Sequence, residues 1–196
     1  MKQVLIIHGG ESFSTYERYI ESLKSQELNY ERLKPQKKWK PWIAEQLPEV
    51  DVLLPTFPNG YNAVFEEWKI YFEKIIPFFG DEVQLVGHSL GAMFLAKYLN
   101  DNPLPQKAKQ LILIAGQYGT RENDDLGSFI VTDAKNLSKS ANVIHLFYSK
   151  DDPVVSYESI HGFEKDLPHA QSHVFDDRGH FLDETFPELL DLLKQK

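Results

Sequence analysis

Short, unbroken apolar runs alternate along the chain with longer stretches in which apolar residues recur every three or four positions. The runs are QVLIIH (Gln3–His8), VDVLLP (Val50–Pro55), EVQLVG (Glu82–Gly87), QLILIA (Gln110–Ala115), NVIHLFYS (Asn142–Ser149) and the shorter SHVF (Ser172–Phe175). Continuous hydrophobicity is what a strand buried on both faces requires. Between the runs, Thr15–Gln26 sets Tyr16, Tyr19, Ile20 and Leu23 on one helical face. Asn62–Ile76 does the same with Val64, Phe65, Trp68, Tyr71, Phe72 and Ile75. Leu90–Asn100 and Phe186–Lys196 also read as helices, the latter with Pro187 in its first turn, where proline fits. Ser156–Leu167 carries a weaker helical pattern.

Strands alternating with helices predict an α/β fold: a mostly parallel central sheet with helices on both faces. Two stretches fit the pattern poorly. Glu27–Trp42 is polar and aromatic with two prolines, and Gly116–Leu137 is a long polar connection. Connections of that size are functional or carry short structure of their own. Residues of about 19–38 and 117–137 are therefore candidate lid elements on a single domain spanning 1–196.

Composition narrows the function classes. The 196 residues carry a net charge of −8, and the densest basic stretch, KPQKKWK (Lys34–Lys40), is flanked by acidic residues. Neither nucleic acid nor an anionic membrane is an expected partner. With no cysteine, the chain has no disulfide framework, thiolate zinc site or cysteine nucleophile. The first apolar run ends in His-Gly-Gly too soon for a secretory signal, and no segment has the length of a membrane span. A cytoplasmic protein is the expectation.

In parallel sheets function gathers at the C-terminal ends of the strands. Those ends hold His8–Gly10, Pro55–Gly60, Gly87–Gly91, the residues after Gly116, Lys150–Pro153 and Asp176–His180. Gly87-His88-Ser89-Leu90-Gly91 has the pattern G-x-S-x-G between a strand and a helix. Read alone, it is a tight turn with a serine cap. In this position it predicts a nucleophile elbow, whose glycines let the turn close and lift the serine oxygen out of the sheet.

A serine hydroxyl needs a base, and the base an orienting carboxylate. In the hydrolase order, acid and histidine follow the serine. Asp151 and Asp152 directly follow the fifth run, and Asp152, leading into Pro-Val-Val, is the preferred acid. Of seven histidines, His180 lies after the last run. His8 and His88 adjoin the serine, while the others fall within or beside strands and helices. The expected oxyanion donors are the backbone N–H groups of Leu90 and Gly10, with Glu11 as the alternative to Gly10. His8 is expected to hold its loop by hydrogen bonds. Phe57, Tyr118 and Phe129 are candidate pocket walls, or else packing residues.

These stretches resemble α/β hydrolases, and more narrowly the small YdeN-type serine hydrolases related to retinoblastoma-binding protein nine. The resemblance rests on VLIIHG, LPTFPN (Leu54–Asn59), FEEWKIYF (Phe65–Phe72), LVGHSLGA (Leu85–Ala92), SKDDPVV (Ser149–Val155) and RGHFLDE (Arg178–Glu184). It implies a compact hydrolase without a large cap domain, and it supports Ser89, Asp152 and His180 as a catalytic triad. One departure stands out: the interval between His-Gly-Gly and KWKPWIAEQL is longer here, with roughly Tyr19–Lys38 in excess. The expected activity is cleavage of a small acyl ester through an acyl-enzyme, with no cofactor or metal. The expected partner is a small-molecule acyl substrate, and nothing in the sequence indicates a protein partner. A thioesterase, amidase or peptidase on the same residues, and an idle site on a protein-interaction module, are the alternatives. A nucleotide-binding domain is excluded by the lack of G-x-G-x-x-G spacing after the first run.

Overall fold

The computed structural model describes residues 2–121 and 125–195. Residues 122–124 of the second candidate lid and Lys196 of the expected C-terminal helix lie outside the described residues. The elements follow as β1 (Lys2–Ile7), α1 (Tyr16–Ser25), α2 (Tyr30–Leu33), α3 (Trp39–Gln46), β2 (Asp51–Leu53), α4 (Phe65–Ile75), β3 (Glu82–His88), α5 (Leu90–Asp101), β4 (Ala108–Ile114), β5 (Ala141–Ser149), α6 (Ser159–Asp166), β6 (Gln171–Phe175) and α7 (Pro187–Lys194).

The strands form one sheet in the order β2-β1-β3-β4-β5-β6, and every neighbouring pair is parallel. The order itself positions the site. From β1 the chain winds outward to β2, and from β3 it winds the other way to β4. The connections leaving the ends of β1 and β3 therefore diverge and leave a crevice between them.

Successive strand residues face opposite sides, and each side has its own core. Leu5, Ile7, Leu85, Leu111, Leu113 and Leu146 pack with Trp68 and Phe72 of α4, with α5, and with Ile160 and Phe163 of α6. Val4, Ile6, Val86, Ile112, Ile114 and Phe147 pack with Trp39 and Ile43 of α3 and the leucines of α7. Polar positions inside the sheet are also paired. Gln84 and Gln110 donate to the carbonyls of Leu193 and Leu192 at 3.3 and 3.4 Å, which ties the sheet to the end of α7, where the Leu192 carbonyl also accepts from the Gln195 N–H at 3.2 Å.

The two ill-fitting stretches resolve differently. The first holds α2 and the start of α3. Pro41 sits in the first turn of α3, where its missing N–H costs nothing, so it does not break the helix. In the second, Phe129, Val131, Ala134 and Leu137 are buried in the larger core. Phe57 and Phe129, which the sequence left open as pocket walls, are packing residues, with 1% and 0% exposure. Tyr118 is half-buried and packs edge-on against Phe163. α1 forms as the pattern requires, capped by Thr15 accepting from the Arg18 N–H, but none of its residues is buried. Tyr16 is 65% exposed.

A histidine pair crosses the last two strands. The Nδ1 of His145 lies 3.0 Å from the Nε2 of His173. Burial, with His173 alongside, lowers the His145 imidazole to about 4 from its ordinary 6.5. Between those values the unfolded chain takes up a proton that the folded protein does not, so stability falls as the pH drops through the window. His145→Asn is expected to lose less stability than the parent between pH 6.5 and 4, measured by urea unfolding at each pH. An equal loss in both proteins would remove His145 from the acid response.

Candidate active site

β3 ends at His88 and α5 begins at Leu90, so Ser89 alone makes the turn. Its backbone sits at φ 56°, ψ −120°, a conformation that non-glycine residues rarely adopt. Three hydrogen bonds hold it there. Ser89 N–H donates to the Ile114 carbonyl at 2.8 Å, and the Ser89 carbonyl accepts from Ala92 and Met93 at 2.9 and 3.2 Å. The flanking glycines are dictated by space. A Cβ on Gly87 would lie 2.5 Å from the Gly91 carbonyl oxygen, and one on Gly91 would lie 2.6 Å from the carbonyl oxygens of both Ile7 and His8.

The Oγ of Ser89 lies 2.9 Å from His180 Nε2. On the other side of the ring, His180 Nδ1 lies 2.8 Å from Asp152 Oδ2 and 3.1 Å from Oδ1. Nδ1 faces a carboxylate and so carries the proton, which leaves Nε2 as an acceptor for the serine hydroxyl. The His180 and Asp152 side chains are 9% and 2% exposed. Asp152 Oδ1 also accepts from the N–H groups of Val154 and Val155 at 2.8 and 3.0 Å, which fixes the carboxylate plane.

Of the two aspartates, Asp152 meets the imidazole, and Asp151 turns to the backbone of the loop that carries it. Asp151 Oδ1 accepts from the Ser149 hydroxyl at 2.5 Å and from the Gly179 N–H at 2.8 Å. Those bonds, the serine's first, lower the Asp151 carboxyl below its ordinary value. The Ser149 oxygen in turn accepts from the Arg178 N–H at 2.9 Å.

The β1 loop closes over the serine. A Cβ on Gly9 would lie 3.0 Å from the Ser89 Cβ. His8 braces the loop, as the sequence suggested: Nδ1 donates to the Gly9 carbonyl at 2.5 Å, and Nε2 accepts from the Phe57 N–H at 2.8 Å. The Glu11 N–H is engaged by the Gly60 carbonyl at 2.9 Å, whereas no acceptor among the described residues takes that of Gly10. The Leu90 N–H opens α5 beside Ser89. Next to this loop, a cavity of about 390 Å³ is lined by Tyr19, Asn59, Gly60, Tyr61, Asn62, Val64 and Glu67.

The sequence reading missed a third support, the start of α3. The Trp39 indole N–H donates to the Phe181 carbonyl at 2.8 Å, and the Trp39 backbone N–H donates to Asp183 at 3.2 Å. Lys40 Nζ lies 3.2 Å from His88 Nδ1 and 4.4 Å above the Trp39 ring. Burial, then Lys38, brings the Lys40 ammonium down to about 8. Burial first, and the Lys40 charge second, push the His88 imidazole well below its ordinary range, so it is neutral. In the sequence Trp39 and Lys40 lie at the end of the basic stretch KPQKKWK, whose charge does not point to the site. The tryptophan in its midst was the one available signal.

An all-parallel sheet with a serine turn after β3, and a carboxylate and a histidine after β5 and β6, defines an α/β hydrolase. The comparisons agree. The crystal structure of the ydeN gene product of Bacillus subtilis superposes with a TM-score of 0.78 at 23% identity, covering 98% of this chain and 97% of that one. By sequence, the chain is 27% identical to the hydrolase YdeN of Bacillus subtilis (strain 168), over 96% of its own length and 90% of the relative's. It is 25% identical to the serine hydrolase RBBP9 of Rattus norvegicus, over 80% and 84%. A profile of the Serine hydrolase family matches residues 30–193, and the chain belongs to that family. Its reaction class is hydrolysis. Among the described residues no helix is long and apolar enough to cross a membrane.

Proposed function

We propose that this protein is a carboxylesterase-like serine hydrolase that cleaves small acyl esters through a covalent acyl-serine. The observation that carries the reading is the unbroken line of hydrogen bonds from Ser89 Oγ through His180 to Asp152. In the reaction, Ser89 Oγ attacks the acyl carbon as its proton passes to His180 Nε2. Asp152 keeps the ring in the tautomer that can accept that proton and stabilises the resulting cation. The former carbonyl oxygen, now negative, is held by the N–H groups of Leu90 and Gly10, and each such donor is worth about 3 kcal/mol in the transition state. Collapse breaks the bond to the alcohol, which leaves with the proton from His180. Water, deprotonated by His180, then attacks the acyl carbon, and as the acyl–Oγ bond breaks His180 returns that proton to Ser89 Oγ, releasing the acid.

The cavity of about 390 Å³ beside the β1 loop has neither Ser89 nor His180 in its lining, so the reading rests on the hydrogen-bonded residues and not on that cavity. Ester, thioester and amide would all pass through the same acyl-serine, and ester is the member of that set proposed first. An idle interaction module would have no reason to keep serine, imidazole and carboxylate bonded in series.

The test is treatment with a fluorescent fluorophosphonate, followed by peptide mass spectrometry. One adduct is expected, on the peptide bearing Ser89. Folded protein that stays unlabelled would overturn the reading. A p-nitrophenyl ester, the matching thioester and the matching anilide, compared at equal acyl length, then rank the bond types, with the ester expected to be fastest.

A further inference from the structure

We propose that Lys40 and His88 are positioning residues for His180, holding the backbone on which the imidazole rides. The inference rests on the reading of His180 as the general base.

The segment that carries His180 is not shaped by regular structure. It falls between β6 and α7, and two of its residues, Gly179 and Phe181, have positive φ of 48° and 52°. A phenylalanine in that region is strained and persists only where its surroundings impose the conformation. Ser149 and Asp151 tie down the near side of the loop through the Arg178 and Gly179 N–H groups. The far side is tied by its carbonyls. Trp39 takes those of Phe181 and Asp183, and His88 Nε2 takes that of His180 itself at 2.9 Å.

The chemistry of that last bond requires Lys40. A carbonyl only accepts, so His88 Nε2 must carry the proton. A neutral imidazole has one proton, which leaves Nδ1 as a bare acceptor. His88 is 3% exposed, so the acceptor needs a donor inside the protein. Lys40 Nζ, 3.2 Å away, is that donor. The ammonium thus selects the His88 tautomer that can hold the His180 carbonyl. The ring is also wedged edge-on against Trp39, with centroids 5.8 Å apart, and lies 5.1 Å from the His180 ring. A residue at the second position of G-x-S-x-G thereby couples the nucleophile's turn to the base's loop. Lys40 and His88 touch no reacting atom. Their effect is on where Nε2 of His180 points.

Three variants test this: Lys40→Met, which keeps the apolar stem and removes the donor; His88→Phe, which keeps the ring and removes both bonds; and His88→Gln, whose amide can accept from Lys40 and donate to the carbonyl. Each is read by steady-state kinetics on p-nitrophenyl acetate and by hydrogen–deuterium exchange of residues 178–183. Lys40→Met and His88→Phe are expected to lower kcat by about 10- to 100-fold with KM changed less than about twofold, as misaimed catalytic groups do. Both are expected to speed exchange in the loop, and His88→Gln is expected to restore most of kcat and the slow exchange. The proposal is overturned if His88→Phe or Lys40→Met keeps wild-type kcat and exchange, or if Gln rescues neither. If His88→Phe does not fold, Lys40→Met, on a half-buried side chain, decides alone. If the wild type itself neither turns over ester nor takes up fluorophosphonate, the functional reading has failed. Loop exchange then still decides whether Lys40 and His88 hold the loop.

Discussion

His180→Ala is expected to lower kcat/KM for p-nitrophenyl esters by about 10⁴-fold or more, because a serine without its base is a weak nucleophile. Among the described residues the imidazole is the one group bonded to both Ser89 Oγ and the Asp152 carboxylate, so no neighbour among them takes its place. His88, whose ring lies 5.1 Å from that of His180, has both nitrogens committed and is neutral by burial. The two aspartates sharpen the result. Asp152→Asn keeps the shape but offers His180 Nδ1 an amide, which favours the wrong tautomer, and should cost about 10⁴-fold in kcat. Asp151→Asn alters only the bonds to Ser149 and Gly179, and should cost no more than about 10²-fold, the scale of a misplaced group. The same series, followed by ester hydrolysis and fluorophosphonate uptake, decides the assignment. Equal losses at both aspartates, or a larger one at Asp151, would reverse it.

The second large effect is structural. Gly91→Ala should destabilise the protein by about 3 kcal/mol, the upper end of overpacking costs, because the new methyl meets rigid backbone. Its Cβ would stand 2.6 Å from the carbonyl oxygens of Ile7 and His8, and 2.9 Å from the Ile7 carbonyl carbon. No rotamer relieves that contact. Either α5 lifts off the sheet or the end of β1 moves, and both carry parts of the site. A fall in Tm of about 2–4 °C per kcal/mol is the measure for a chain of this size. Gly119→Ala is the control. It has φ of 73° but no atom within 4 Å of the added methyl, so only backbone strain of about 1 kcal/mol is expected. A Gly91→Ala protein as stable as Gly119→Ala would mean that the elbow packs more loosely than its geometry states.

The strands were legible in the sequence because the sheet is covered on both sides, which forces unbroken apolar runs such as Val4–Ile7 and Leu111–Ile114. Ser89, Asp152 and His180 were legible for a different reason. Each follows a strand within a few residues, so local order was enough to bring them to one edge. α3 was not legible. It is only eight residues long, its first turn contains a proline, and its entry is masked by lysines. The bond from the Glu11 N–H to the Gly60 carbonyl, which bears on Gly10 against Glu11, is announced by no pattern. Nor does any periodicity foretell that an indole at position 39 donates to a carbonyl 142 residues further on.

That bond also bears on how the protein comes to be active. The clamp on the His180 loop joins α3, near the start of the chain, to residues that follow the edge strand β6. β6 pairs with β5, which pairs in turn with β4. Contacts so distant in sequence are slow to close and reward the chain late. Ser89 is made 91 residues before His180, so on the proposed reading the growing chain carries its serine before the imidazole that would activate it.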